Sequence, residues 1–150
     1  MTSGALAVRA QAFIDGWMNK LLDTDGYPSY QPYQCVDVIR KYQTDVIKNP
    51  LVPGNAIDYW YHYPFNPILQ KYYTHIPNSL TFVPKLGDIV IFAATWGNPY
   101  GHIGISSSVA NVLWVTVFEQ NDPLKSPCHY KAYNYIYPRV LGVLRPITNG

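Results

Sequence analysis

The chain has 150 residues and a formal net charge of +2 at pH 7, with 13% charged residues, 14 tyrosines and 13 prolines. At that length one domain buries roughly 68–70% of the surface its unfolded chain would expose, enough for a sheet with helices packed on it. The near-neutral balance, without a lysine or arginine run, points away from nucleic acid, and no stretch approaches the roughly 20 apolar residues of a membrane span.

The N-terminus, MTSGALAVRAQAF, lacks a positive segment followed by an apolar core, so no signal peptide is expected. Residues 4–22 predict an amphipathic helix, with Leu6, Ala10, Phe13, Trp17 and Leu21 at helical spacing. The DTDG segment stops it and opens a loop over 23–34. A second helix is expected over 35–48, with Val38, Ile39, Tyr42 and Val46 on one face and Asn49-Pro50 beyond its end. A short third helix begins at Asn66, a capping residue followed by Pro67.

From residue 80 the period changes to two. Strands are expected at Leu80–Val83, Asp88–Ala94, His102–Ser107, Leu113–Glu119 and Leu141–Arg145, with GNPYG (97–101) as a turn. Tyr133, Tyr135 and Tyr137 alternate as on one strand face. Helices first and an antiparallel sheet over 80–145 predict a single α+β domain spanning 1–150.

Hydrolysis through a thiol needs a thiolate, a histidine to take its proton and a third group to orient the imidazole. Cys35 sits at the expected start of a helix, where the N-terminal dipole favours a thiolate and the backbone N–H faces a substrate carbonyl. The side chain of Gln34 is placed to complete that oxyanion hole. By position alone, Cys35 reads rather as a small core residue on a helix. A disulfide to Cys128 would consume the nucleophile, so two free thiols are expected. His102, between glycines in YGHIGI, competes with His62, His75 and His129 for the role of base, and its context suits a solvated loop histidine as well. The strand VTVFEQND weighs in its favour. Alternation places Val117, Glu119 and Asn121 on one side, and a carboxylate continuing an apolar face needs a partner such as an imidazolium. A strand end turning outward to water is the alternative.

Together QCVDVIR, PKLGDIVIF, YGHIGI and FEQN, with PGNAIDYW after the cysteine helix, resemble the CHAP domain, the cysteine- and histidine-dependent amidohydrolase/peptidase of phage endolysins. The resemblance covers about residues 10–145. It implies a papain-like fold with a partly barrel-like sheet and hydrolysis of an amide in bacterial peptidoglycan, as an endopeptidase or an N-acetylmuramoyl-L-alanine amidase. Cys35 is then the nucleophile, His102 the base, Glu119 its orienting group, Asn121 a supporting residue and Gln34 the oxyanion donor. No organic cofactor, nucleic acid or membrane insertion is expected. The resemblance also implies a monomer that waits in the host cytoplasm or travels on a virion. A related cysteine–histidine type, NlpC/P60, would carry a second histidine about a dozen residues after the first, and this chain has none there. A catalytically inactive wall-binding or virion module is the alternative function.

Three aspartates surround the cysteine. Asp37 diverges from Cys35 by about 200° on a helix, toward the loop that holds Asp23 and Asp25. Converging carboxylates repel one another, and a calcium ion would relieve that. The spacing is not that of an EF-hand, and solvated aspartates in a DTDG turn are the alternative. Some phage CHAP domains carry a similar D-x-D-G-Y loop before the cysteine. That resemblance implies structural Ca²⁺ on Asp23, Asp25, the Tyr27 carbonyl and Asp37, although PSYQPY intervenes here. Zinc spacings are absent. The aromatic runs YWYHYPF and YNYIYP read mainly as core and sheet residues. Trp96, on the loop before His102, is expected to wall the cleft and bind substrate.

Overall fold

The computed structural model describes residues 1–24, 34–122, 124–136 and 138–150. Asp25 and Tyr27 of the expected metal loop, and Tyr137 of the tyrosine run, lie outside them.

Helix α1 (Ser3–Trp17) buries Leu6, Ala10, Phe13 and Ile14, and the Thr2 hydroxyl caps it by accepting the Ala5 N–H at 3.1 Å. It ends five residues before the expected boundary. Asn19 adopts φ +63°. The chain then runs beside Cys128, with Asn19 N–H donating to the Cys128 carbonyl and Cys128 N–H to that of Lys20, each at 2.8 Å. Leu22 is buried there and Leu21 exposed, the alternation of extended chain rather than of a helix. Helix α2 (Cys35–Tyr42) continues through a wider π-turn over Gln43–Ile47 and stops at Lys48, so its extent matches the expected 35–48. Two short helices follow, α3 (Asp58–Tyr61) and α4 (Pro67–Tyr72). Asn66 caps α4 by accepting the N–H groups of Ile68 and Leu69, as its sequence predicts.

Six strands form one antiparallel sheet: β1 (Tyr73–Pro77), β2 (Ile89–Phe92), β3 (His102–Ala110), β4 (Trp114–Glu119), β5 (His129–Asn134) and β6 (Val140–Pro146), in the order β1-β6-β2-β3-β4-β5. The sheet is open. Its edge strands, β1 and β5, do not meet, so the partly barrel-like sheet expected from the resemblance is not closed. The expected strand at 80–83 is corrected. Only Phe82 of that run is buried, while Leu80 is 96% exposed. The first strand is instead YTHIP, which pairs with β6 and whose mixed polarity suits an edge. Tyr133 belongs to β5, which ends before Tyr135.

Strand β2 is buried along its whole length because both faces of the sheet are covered. Ile89 and Ile91 join Ile103, Ile105, Phe118 and Leu144 under the helices, with Tyr42 and Tyr59. Val90 and Phe92 pack with Val115, Val117, Tyr133 and Val143 on the other face. The PKLGD segment anchors this arrangement. Tyr42 donates to the Gly87 carbonyl at 2.9 Å, and the buried Asp88 carboxylate takes three contacts from Arg145, the shortest at 2.7 Å. Burial alone would raise the Asp88 carboxyl, and the guanidinium opposes it.

The glycines beside His102 serve the backbone. Gly101 holds φ +72°, and a Cβ there would press on the Phe92 carbonyl. At Gly104 a Cβ would collide with Val117 and the Phe118 carbonyl, so this glycine lets β4 approach β3 beside Glu119. Gly104→Ala is therefore expected to cost about 1–3 kcal/mol through overpacking. Thermal unfolding monitored by circular dichroism checks this, a lowered Tm being the expected result.

Candidate active site

The site forms where one end of α2 meets the ends of three adjacent strands. Cys35 is the first residue of α2, which packs across β3. His102 opens β3, opposite Phe92 of β2. Glu119 closes β4, and its cross-strand neighbour is His129, the first residue of β5. These four elements begin or end at the same edge of the sheet.

Glu119 is completely buried, and His102 is 8% exposed. One carboxylate oxygen, Oε1, lies 3.2 Å from His102 Nε2, and the other, Oε2, lies 3.7 Å from His129 Nε2. The 3.2 Å approach is oblique and does not make a directed hydrogen bond, a geometry common at catalytic contacts before substrate binds. The Cys35 sulfur is near enough to act electrostatically on the same imidazole. Burial alone would favour the neutral ring. The Cys35 sulfur and the Glu119 carboxylate outweigh it and push the His102 pKa up to about 10. The arrangement therefore holds a proton on the imidazole between a sulfur and a carboxylate.

The N-terminus of α2 is braced by Asp37. Its buried carboxylate accepts the Gln34 N–H at 2.8 Å, the reciprocal half of a capping box, together with the Thr24 hydroxyl at 2.8 Å and the Thr24 N–H at 3.3 Å. Arg40 lies 3.8 Å from the same group. Asp37 thus points toward the 23–24 segment, as the helical angle requires. Asp23 is exposed.

Asn121 does not continue the strand alternation, because β4 ends at Glu119 and Asn121 takes φ +70°. Its side-chain oxygen accepts the Lys125 N–H at 2.6 Å and caps a turn. It still reaches the site. A cavity of about 230 Å³ is lined by His102 and Asn121 together with Thr95, Asn98, Gly101 and Asp122. Trp96, at the tip of the β2–β3 connection, is fully exposed and does not line this cavity.

Two residues near the imidazole were not singled out from sequence. Asp122 accepts the Tyr133 hydroxyl at 2.7 Å and Lys131 Nζ at 3.2 Å. Burial would raise its carboxyl, but those donors hold it below the usual range. His129, named above only as a competing base, reaches Glu119 through strand register. Matching the strand VTVFE against the HYKAYN run would have revealed the pair. The remaining histidines lie elsewhere: His62 is exposed beside Asp58, and His75 is stacked between Trp60 and Tyr63. Both cysteines are free, and burial pushes the Cys128 thiol up to about 12.

The CHAP domain family matches residues 23–121, which contain Cys35, His102, Glu119 and Asn121. The chain belongs to the CHAP family. Its fold is shared by the endolysin LysIME-EF1, with a TM-score of 0.72 and 24% identity over 97% of this chain and 65% of that one. Ly7917 is similar, with a TM-score of 0.65 and 19% identity over 95% of this chain and 63% of that one. An NLP/P60-family lipoprotein-like protein of Staphylococcus aureus shares the fold more distantly, with a TM-score of 0.53 and 15% identity over 99% of this chain and 43% of that one. The CHAP domain described here therefore spans less than two thirds of the length of these chains. No curated protein matches it in sequence. Among the described residues no helix is long and apolar enough to cross a membrane.

The sign of the His102 shift gives a pH dependence. A histidine whose folded pKa is raised contributes stability that is fully present below the unfolded value of about 6.5 and is lost as pH rises toward about 10. Unfolding free energies of wild type and His102→Ala are expected to converge as pH increases through that window. Chemical denaturation at several pH values measures it, and a constant difference would show that the imidazole is not held charged.

Proposed function

We propose that this CHAP domain hydrolyses an amide bond in bacterial peptidoglycan through a Cys35 thioester, as an endopeptidase or an N-acetylmuramoyl-L-alanine amidase. The observation that carries the proposal is the His102 ring, which lines a cavity, lies 3.2 Å from the fully buried Glu119 carboxylate and feels the Cys35 sulfur. The family match and the endolysin-like fold supply the substrate class.

In this mechanism Glu119 faces Nε2, leaving the other ring nitrogen to the thiol. With the proton already on the ring, the sulfur attacks the amide carbon as the thiolate. The new S–C bond forms as the carbonyl electrons move onto oxygen. The Cys35 backbone N–H, unpaired within its helix at the first position, faces that oxyanion, and the Gln34 side chain is the proposed second donor. The imidazolium then protonates the departing amine as the C–N bond breaks. Water, deprotonated by the same ring, attacks the thioester and returns the sulfur. Glu119 keeps the imidazole oriented and balances its charge throughout. Asn121 is proposed to support the cavity wall and to meet substrate there. Trp96, on the exposed hairpin above it, is proposed to stack on substrate from outside.

The expected calcium ion stays with Asp23, Asp25, the Tyr27 carbonyl and Asp37 as proposed ligands. Asp37 commits three of its roughly four lone-pair sites to Gln34 and Thr24, which leaves one for an ion on the loop side. Bound there, calcium would brace the segment before α2, remote in role from the bond-breaking steps. The proposed setting is a lysin acting as a monomer after release from the host cytoplasm or from a virion.

Cys35→Ala is expected to abolish release of soluble fragments from purified peptidoglycan while leaving the fold intact. Glu119→Gln is expected to lower kcat by roughly 10²–10⁴-fold. Mass spectrometry of the fragments identifies the bond; persistent hydrolysis by Cys35→Ala would overturn Cys35 as the nucleophile, and no fragment release by the wild type would favour an inactive wall-binding module. Chelation with EGTA is expected to lower both Tm and lytic rate, with added calcium restoring both. If neither changes, the loop holds no metal.

A further inference from the structure

The last residues of β4 address both halves of the site. Glu119 turns toward His102, and the next side chain, Gln120, turns the other way, into the body of the protein beneath the nucleophile's segment. Gln120 is completely buried. Its Oε1 accepts the Leu22 N–H at 2.7 Å and receives the Cys128 thiol at 3.6 Å. Its Nε2 donates to the Leu22 carbonyl at 2.8 Å and to the Gln34 carbonyl at 3.0 Å. Both donors and both acceptors of the amide are thereby used. The orientation is fixed as well, since a flipped amide would set its oxygen against two carbonyls.

The positions gripped are informative. Leu22 and Gln34 flank the 23–33 segment, and Gln34 is bonded directly to Cys35. One amide therefore clasps both ends of that segment to the strand end that carries Glu119. The pull on Gln34 opposes the cap from below, where Asp37 accepts the N–H of the same residue at 2.8 Å. Gln34 is held on its carbonyl side by β4 and on its amide side by α2. The mechanism above uses neither bond.

We propose that Gln120 is a positioning residue that sets the distance and direction between the Cys35 sulfur and the His102–Glu119 pair. This rests on the reading of Cys35 as the nucleophile. A buried amide with four partners has little freedom, so the strand that orients the base also orients the thiol. Loss of the Gln34 contact would let the first turn of α2 shift relative to β3. A misplacement of about 1 Å costs a reaction of this kind on the order of 10²-fold.

The test compares Gln120→Met, which keeps the volume and removes both donors, with Cys128→Ala. The second substitution strikes the same buried cluster but leaves the bonds to Leu22 and Gln34 intact. Three readouts are taken on folded protein: Tm, the rate of Cys35 alkylation by iodoacetamide at pH 7, and kcat and KM on a soluble wall peptide. Gln120→Met is expected to slow alkylation about tenfold and kcat about 10²-fold, with KM within about twofold. Cys128→Ala is expected to lower Tm and leave both rates near wild type. Equal alkylation by the two variants, or losses of rate that simply follow Tm in both, would reduce Gln120 to a packing residue and overturn the proposal. If Gln120→Met does not fold, hydrogen exchange on the wild-type protein decides. Leu22 N–H is expected to exchange with the slow amides of β4, and exchange at an unprotected rate would overturn the clasp. Alkylation requires no peptidoglycan hydrolysis, so failure of the hydrolase reading, seen as activity in Cys35→Ala, is distinguishable from failure of this one.

Discussion

A carboxylate with no exposure to water governs this molecule. Glu119 ends a strand whose inward neighbours are valine and phenylalanine, where an isolated negative charge is costly. Two imidazoles stand against it, one on the preceding strand of the sheet and one on the following strand. The balance with His102 also underlies the proposed chemistry, because a ring kept protonated beside a sulfur is the state from which a thiolate can act. Stability and chemistry draw on the same contact.

That contact depends on how closely two strands can run. Gly104 removes the side chain that would separate β3 from β4, and Gly101 supplies the backbone angle that brings His102 to the start of its strand. Farther along the sheet, the Asp88–Arg145 pair and the Tyr42 hydroxyl fix β2 and β6 under α2. Motif residues such as the GD of PKLGD and the glycines of GHIG thus act on the frame rather than on substrate.

Cys35, the proposed nucleophile, arrives from a separate part of the chain and has to be registered against that frame. Asp37 does part of this from within α2 by capping it, which gives the residue two after the cysteine a clear structural task. Gln120 reaches the same segment from the sheet. The sequence E-Q-N therefore carries three separate placements: a carboxylate against His102, an amide on Leu22 and Gln34, and a left-handed turn residue beside the cavity.

Helices with a clear apolar stripe and a capping residue, such as α2 and α4, were legible in the sequence, as were β2, β3, β4 and β6. Local spacing and local backbone chemistry determine those elements. The same local rules extended α1 through Leu22 and drew a strand at 80–83. They failed there because pairing with Cys128 claimed residues 19–22 and because Leu80 found no surface to bury against. Cys35, His102 and Glu119 could be selected by residue type and order, since their chemistry is particular to them. His129, Asp122 and Gln120 could not, because histidine, aspartate and glutamine acquire these tasks only from what stands opposite them. Strand register and long-range hydrogen bonds decide that, and neither is encoded within a few residues of chain.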